Sequence, residues 1–130
     1  MSHFSTVKTE LRDRQALLGA LRDLGHDPEQ GERPVRGYRG QTVIADVALT
    51  RDDGCDIGFR WNAETESYEL VTDLELWKQP IPVERFLSQI TQRYALRTIL
   101  AASAQEGFQV SEQTSSLDGS IELVVTRWDG

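Results

Sequence analysis

The sequence is poor in cysteine and has no long apolar run. Cys55 is the only cysteine, which excludes an internal disulfide and a metal site made of cysteines alone, and is typical of a reducing compartment. No apolar run approaches the roughly 20 residues that a membrane-spanning helix needs. The N-terminal segment MSHFSTVKTE lacks the apolar core of a signal peptide. These absences predict a protein without a membrane span, either cytoplasmic or made inside an organelle.

Basic residues are outnumbered and histidine is scarce. Lys and Arg total 14 against 21 Asp and Glu, so the net charge is -7. This charge repels polyphosphate at long range, and we do not expect nucleic-acid binding. His3 and His26 are the only histidines, and neither stands at zinc-ligand spacing from a cysteine or an acidic residue. We therefore expect no metal and no cofactor.

The residues that are present suit one globular domain. A chain of 130 residues, 38% of them hydrophobic, can bury roughly two thirds of its unfolded surface around a single core. In residues 55–74, Phe59 and Trp61 alternate with polar residues, and so do Tyr68 and Leu70 after a polar connection. Such alternation predicts an antiparallel hairpin with one apolar face. We predict a single domain over residues 1–130.

Two helices are predicted from apolar residues at helical spacing. The first covers residues 13–25, with Asp13 as N-cap and Gly25 after its last turn. The second begins near Pro82 and ends at Gly107. Residues 26–41 contain two prolines and three glycines and are predicted to form a loop. Further strands are predicted at residues 3–11, 42–50, 108–113 and 120–128, with Asp-Gly turns at 53–54 and 118–119.

The order of these elements suggests an internal repeat. Strand, helix, strand, strand occurs twice, and the closing strands of both halves carry Arg-Trp, at residues 60–61 and 127–128. The simplest packing is an α+β two-layer sandwich, with one mainly antiparallel sheet of about six strands and both helices on one face. A βαββ duplication would account for this order.

Three arginines and a tyrosine are concentrated in the predicted loop. Arg33, Arg36, Tyr38 and Arg39 could present guanidinium groups and an aromatic ring to a phosphate or carboxylate, and glycines between them would let the backbone approach closely. Arg93 on the second helix could join them. The alternative is a solvated loop in which the arginines offset nearby acidic residues.

The second helix is apolar over a wider arc than one sheet face requires. Leu96 and Ile99 lie off the main stripe, and Leu100 lies at its edge. This width is typical either of a helix sunk between sheet and loop or of a partner surface. Trp77 stands outside any predicted strand or helix, so it is a candidate interface anchor.

The polar residues give no catalytic pattern. Cys55 has no cationic neighbour in the sequence that would lower its pKa. Asp52, Asp53 and Asp56 miss the spacing of a calcium-binding loop and lack its closing glutamate. We predict that the protein is not an enzyme and has no catalytic residues.

Several phrases of the sequence occur together in a known family. They are MSHFS at the N-terminus, VRGY at 35–38, DIGFR at 56–60, YELV at 68–71 with Asp73, QRY at 92–94, GF at 107–108 and RW at 127–128. With these phrases the chain resembles a family of uncharacterised proteins. The family is encoded in cyanobacteria, in some algal plastids as the thirty-fifth hypothetical chloroplast reading frame, and in some cyanophages. The resemblance spans nearly the whole chain and implies the cytosol of a photosynthetic prokaryote or a plastid stroma.

Two functions follow as hypotheses. The first is a non-enzymatic accessory or assembly protein that contacts an unidentified protein partner through Trp77, Leu96, Ile99 and Leu100, or through the arginine loop. The second is a module that binds a small molecule or anion with Arg33, Arg36, Tyr38, Arg39 and Arg93. The sequence leaves homo-oligomer formation open.

Overall fold

The computed structural model describes residues 4–105, 108–115 and 121–127, with side chains up to residue 104. Its helices are α1 (Arg14–Asp23) and α2 (Val83–Gln105). Its strands are β1 (Ser5–Lys8), β2 (Glu29–Arg36), β3 (Thr42–Leu49), β4 (Ile57–Asn62), β5 (Ser67–Thr72), β6 (Phe108–Ser115) and β7 (Ile121–Arg127). The predicted ends at His3, Gly107, Ser120 and Trp128, and the predicted turn at 118–119, lie outside the described residues.

Five strands form one antiparallel sheet in the order β1-β5-β4-β3-β2. A row of apolar residues runs across it, since Val47 lies opposite Phe59, Phe59 opposite Leu70, and Leu70 opposite Val7. Residues of both helices pack on this face in one buried cluster. The predicted α+β class and the placing of both helices on one face are therefore confirmed.

Helix α1 begins and ends, and α2 begins, where the sequence signals indicate. The Asp13 carboxylate accepts a hydrogen bond from the Ala16 amide at 2.9 Å and caps α1, and Gly25 follows α1 with a positive φ of 88°. At the start of α2, the Phe86 amide donates to the Pro82 carbonyl at 2.9 Å. The tyrosine hydroxyl of Tyr94 on α2 accepts from the amide of Asp13 at 2.9 Å, so the two helices are also joined by a hydrogen bond.

The prediction of a loop over residues 26–41 was wrong. This segment contains β2, which pairs with β3 from Glu29 to Arg36. Only Val35 of β2 is buried, so the strand carries no alternating apolar pattern that the sequence could reveal. Its pairing is interrupted by a bulge between Gln30 and Arg33, where Gly31 has a φ of 100°.

The sheet has five strands where about six were expected in it. β6 and β7 pair with each other in a separate two-stranded sheet, and the described strands of the larger sheet make no ladder with them. The extra strand β2 also makes the first half of the chain longer than a copy of the second, so the element order is not the expected βαββ repeat.

The β2–β3 hairpin folds over the second face of the sheet. Val35 and Ala45 form a small buried cluster there with Ala48. A Cβ atom on Gly58 of β4 would lie 2.5 Å from the Val35 side chain and 2.9 Å from that of Ala45. Glycine at position 58 therefore allows the hairpin to lie directly against β4.

Candidate functional site

The predicted arginine loop is a strand and turn held to the rest of the sheet by Asp56. The Asp56 carboxylate is 2% exposed and accepts four hydrogen bonds of 2.8 to 2.9 Å. Three come from Arg36, through its backbone amide, Nε and a terminal guanidinium nitrogen, and the fourth comes from the backbone amide of Arg51. The same Arg36 nitrogen also donates to the Arg51 carbonyl at 2.7 Å.

These contacts determine the charge state of the pair. Burial raises the pKa of Asp56, but the hydrogen bonds from Arg36 and from the two backbone amides outweigh burial, and the net pKa lies below its usual value. The same interaction raises the pKa of Arg36. Asp56 is therefore ionised at neutral pH, and Arg36 neutralises it. Most of the donor capacity of Arg36 is used within the fold rather than offered to a ligand.

The other residues of the predicted anion site lie near the tip of this hairpin. Arg33 donates to the Gln30 carbonyl at 3.1 Å and lies 3.8 Å from Glu29. Tyr38 is half-buried, and the exposed guanidinium of Arg39 lies over its ring, 5.1 Å from the ring centroid. Arg39 has a φ of 55°, in the left-handed region that non-glycine residues rarely adopt.

Arg93 is held by a different element. Its Nε donates to the Asp23 carboxylate of α1 at 2.9 Å, and Arg97 contacts the same carboxylate through two hydrogen bonds of 2.7 Å. Hydrogen bonds from Arg97 and Arg93 lower the pKa of Asp23 to about 2, although burial opposes them. Arg36 and Arg93 thus have separate carboxylate partners, on the sheet and on the helix pair.

Trp77, the predicted interface anchor, is instead packed against the core. Its indole nitrogen donates to the Ile81 carbonyl at 2.7 Å, and its ring meets Phe86 edge-on with centroids 5.4 Å apart. It contacts the same cluster that the helices form on the sheet. Of the two tryptophans that the structure describes, Trp61 is the more exposed: it is 40% exposed, and its ring lies edge-on against the buried Tyr68.

The predicted surface on α2 is divided by burial. Leu96 is 2% exposed and belongs to the core, so it cannot contribute to a surface of the folded domain. Ile99 is 44% exposed and Leu100 is 37% exposed. From residue 97 to residue 104 every side chain except the half-buried Ser103 is exposed, so the last two turns of α2 present most of their side chains to solvent.

Sequence reasoning missed a cleft between β1 and α2. Its volume is about 520 Å³, and its apolar walls are Val7, Leu74, Val83 and Leu87. The polar groups around it include Lys8, Glu84, Ser88 and Thr91. No pattern in the sequence indicates it, because the cleft exists only where the edge strand of the sheet meets the helix above it.

Comparisons with known proteins identify the family of this chain. The sequence model of a family described as "Protein of unknown function (DUF1257)" matches residues 20–124. The chain belongs to this family. Its similarity to the "Uncharacterized protein ycf35" of Guillardia theta is 40% identity over 128 residues, which covers 98% of each chain. The proteins of the same name from Pyropia yezoensis and Cyanophora paradoxa are 36% and 38% identical, with 99% and 98% of each chain covered. No solved structure matches the chain significantly.

Three of the phrases that carry the resemblance to the DUF1257 family meet in space. Arg36 of the VRGY phrase binds Asp56 of the DIGFR phrase, and the backbone amide of Asp56 donates to the Arg36 carbonyl at 3.1 Å. The carboxylate of Asp73 accepts from the amide of Tyr38 at 3.3 Å. The phrases therefore meet where the folded-over hairpin is attached to the sheet.

Two absences can be stated for the described part of the chain. Its histidine, cysteine, aspartate and glutamate side chains form no group of three or more that could hold a metal ion. Neither of the two described helices has the length and apolarity that crossing a membrane requires.

Proposed function

We propose that the protein is a non-enzymatic accessory or assembly protein of a photosynthetic prokaryote or plastid, and that the end of α2 binds another protein. The observation that carries the proposal is the exposure of Ile99 and Leu100 beyond the last buried leucine of the helix, Leu96. In the helix-in-groove mode of recognition, an exposed helix places apolar side chains in a hydrophobic groove of its partner.

The mode of binding follows from the neighbours of these two residues. Ala101, Ala102 and Ala104 complete the exposed end of α2, and their small side chains let another backbone approach closely. The buried Leu96 and the ion pairs of Arg93 and Arg97 hold the preceding turns of α2 to the domain. A partner would therefore meet a helix end that is already fixed in direction, which lowers the entropy lost on binding.

The chemistry of the partner follows from the two apolar side chains and from the net charge of this chain. The proposed partner presents an apolar groove that receives Ile99 and Leu100 and carries basic residues around that groove. Such a rim would complement the net charge of -7 on this chain and speed association. The occurrence of related proteins in plastid-bearing algae supports a plastid stroma or a cyanobacterial cytoplasm as the place of action.

The test is a comparison of variants in affinity purification from native lysate under gentle salt. We expect the wild-type chain to retain a protein that is lost with the double variant Ile99→Glu/Leu100→Glu. Ile44→Glu is the matched control, because Ile44 is 54% exposed on β3 and a charge there should leave the partner bound. Equal recovery with both variants, or no specific protein with the wild type, would remove the proposal.

The alternative of an anion-binding module has less support from the geometry. Arg36 and Arg93 are each engaged by a carboxylate, and Arg33 lies beside Glu29. Arg39 and Tyr38 at the hairpin tip remain as its candidate groups. A thermal-shift screen with phosphorylated metabolites tests it, since a ligand at 100 times its dissociation constant stabilises a protein by about 2.7 kcal/mol.

A further inference from the structure

The sheet has an open edge at β1. β1 pairs with β5 on one side and is the last strand of the described sheet on the other. The Tyr68 amide of β5 points towards this edge, because it donates to the Leu11 carbonyl at 2.7 Å. Backbone amides and carbonyls alternate sides along a strand. The amide and carbonyl of Leu70 therefore also point towards β1, where they exchange hydrogen bonds with those of Val7. The amides and carbonyls of Thr6 and Lys8 consequently face outwards.

The cleft lies where a further strand would place a side chain. The apolar row that crosses the sheet ends at Val7, which also forms a wall of the 520 Å³ cleft beneath α2. A strand added to β1 would lie about 4.8 Å further out. Its residue opposite Val7 would extend the row into the cleft, towards Leu74 and Leu87.

Strand β7 of this chain has a sequence that suits such an edge. β6 and β7 pair only with each other among the described strands and contact α2, and a two-stranded hairpin needs a further strand or a packed helix to be stable in water. In the sequence of β7, the apolar positions Ile121, Leu123 and Val125 alternate with Glu122, Val124 and Thr126. This is the pattern of a strand with one face to be buried.

We propose that β7 of a second copy of the chain adds antiparallel to β1, with Leu123 opposite Val7. In this register Glu122 lies opposite Lys8, so the ion pair and the apolar contact are formed together. The hydrogen-bonding pairs are Thr6 with Val124 and Lys8 with Glu122. A slip of one residue would direct Glu122 or Val124 into the cleft in place of Leu123 and would lose the ion pair.

β6 fits the same edge less well. Pairing its acidic residue Glu112 with Lys8 would bring Gln113 opposite Val7 in the antiparallel direction, and Ser111 in the parallel direction. Either choice puts a polar residue at the apolar cleft. Self-pairing of β1 is also disfavoured, because the strand has four residues and ends in a lysine, a feature that opposes edge-to-edge pairing.

The exchange is reciprocal. Each copy gives its β6–β7 hairpin and receives that of its partner, which closes a twofold dimer and covers the β1 edge of both copies. This inference is independent of the function proposed above, since it uses β1 and β7 rather than Ile99 and Leu100.

Disulfide trapping between two different chains tests the register. In a Cys55→Ser background, a Val7→Cys chain is mixed with a Leu123→Cys chain and oxidised. Opposed residues of this kind have Cα atoms within bridging distance, so we expect a disulfide-linked dimer on a non-reducing gel. Val7→Cys mixed with Val124→Cys is the control and should give at most a tenth of that product. Equal yields would overturn the register, and no product from the first mixture would overturn the proposal.

A chain carrying both Val7→Cys and Leu123→Cys separates a second copy from the chain's own hairpin. We expect this variant to form linked dimers at micromolar concentration. A disulfide formed only within single chains would show that the hairpin folds onto its own edge, and would overturn the exchange.

Charge reversal provides a test without cysteines. We expect wild-type protein to sediment as a dimer, and Lys8→Glu or Glu122→Lys to weaken dimerisation roughly tenfold or more, since each dimer holds two such pairs. The double variant Lys8→Glu/Glu122→Lys should recover most of the loss. A monomeric wild type, or a double variant no better than the worse single variant, would contradict the proposal.

Discussion

Arg36 binds Asp56 through both its side chain and its backbone amide, so one residue of β2 supplies three of the four hydrogen bonds that a buried carboxylate accepts. This arrangement attaches the folded-over β2–β3 hairpin to the start of β4. It also explains why an arginine that resembles an anion ligand in the sequence has a structural task in the fold.

Removing Arg36 should destabilise the domain. In Arg36→Ala, Asp56 stays buried and loses its charge partner, and we expect the midpoint of urea denaturation to fall well below that of the wild type. The half-exposed guanidinium of Arg36 keeps the loss below that of a fully buried pair. Urea denaturation measures it.

The matched control is Arg33→Ala. Arg33 lies on the same strand but is 51% exposed and 3.8 Å from its acidic neighbour. We expect a change within about 0.5 kcal/mol. Equal losses for the two variants would mean that the contacts to Asp56 contribute nothing special to stability.

A methyl group should destabilise the domain more at Gly58 than at Gly19. In Gly58→Ala the new Cβ meets the buried Val35 and Ala45, and overpacking of this kind costs about 1 to 3 kcal/mol. In Gly19→Ala it meets the Arg97 guanidinium, which must shift against its hydrogen bonds to Asp23, while alanine favours α1 by up to about 1 kcal/mol and offsets part of that cost. Thermal unfolding of both variants compares them. A Gly58→Ala protein as stable as wild type would contradict the close approach of the hairpin to β4.

The tryptophans should differ in their contribution to stability. Trp77→Ala removes a ring that packs on Phe86 and donates a hydrogen bond to Ile81, and we expect a loss of about 3 kcal/mol. Trp61→Ala removes a ring that is 40% exposed, and we expect about 1 kcal/mol. Chemical denaturation measures both. A larger loss at Trp61 would mean that Trp77 is not part of the core.

Asp23 should make the stability depend on acid pH. Arg97 and Arg93 lower the pKa of Asp23 to about 2 in the folded chain, below the ordinary value of 3.8. The stability from this difference is fully present above pH 3.8 and is lost as the pH falls through about 2. Titration of the Asp23 carboxyl carbon by NMR measures the pKa directly. In Arg97→Met it should move towards 3.8, and an unchanged value would contradict the role of Arg97.

The parts of the fold that follow from local pattern could be predicted. The alternation around Phe59 and Leu70 predicted β4 and β5, and the capping residue Asp13 predicted the start of α1. β2 could not be predicted, because its ladder depends on backbone pairing with β3 while only Val35 is buried. A strand whose side chains face solvent lacks the apolar alternation by which strands are predicted from sequence.

The surroundings of the candidate site residues could be predicted less well than the strands and helices, because they depend on tertiary contacts. Helical spacing identified Leu96, Ile99 and Leu100 as a group but could not show that the fold buries Leu96 and leaves the other two exposed. Trp77 is a candidate interface anchor in the sequence because it stands outside any predicted strand or helix. Its contact with Phe86, nine residues away and beyond two prolines, depends on the folded chain. The acidic partners Asp56 and Asp23 of the arginines are also distant in sequence, and only the folded chain brings them together.

Site-specific photocrosslinking in cells is the most direct test of whether the end of α2 binds another protein. A photoreactive amino acid replaces Leu100 in one strain and Ile44 in another, both being exposed in the folded chain. The account predicts that position 100 forms a crosslink to a discrete second protein and that position 44 does not. Absence of a crosslink at position 100, or the same crosslinked protein from both positions, would contradict it.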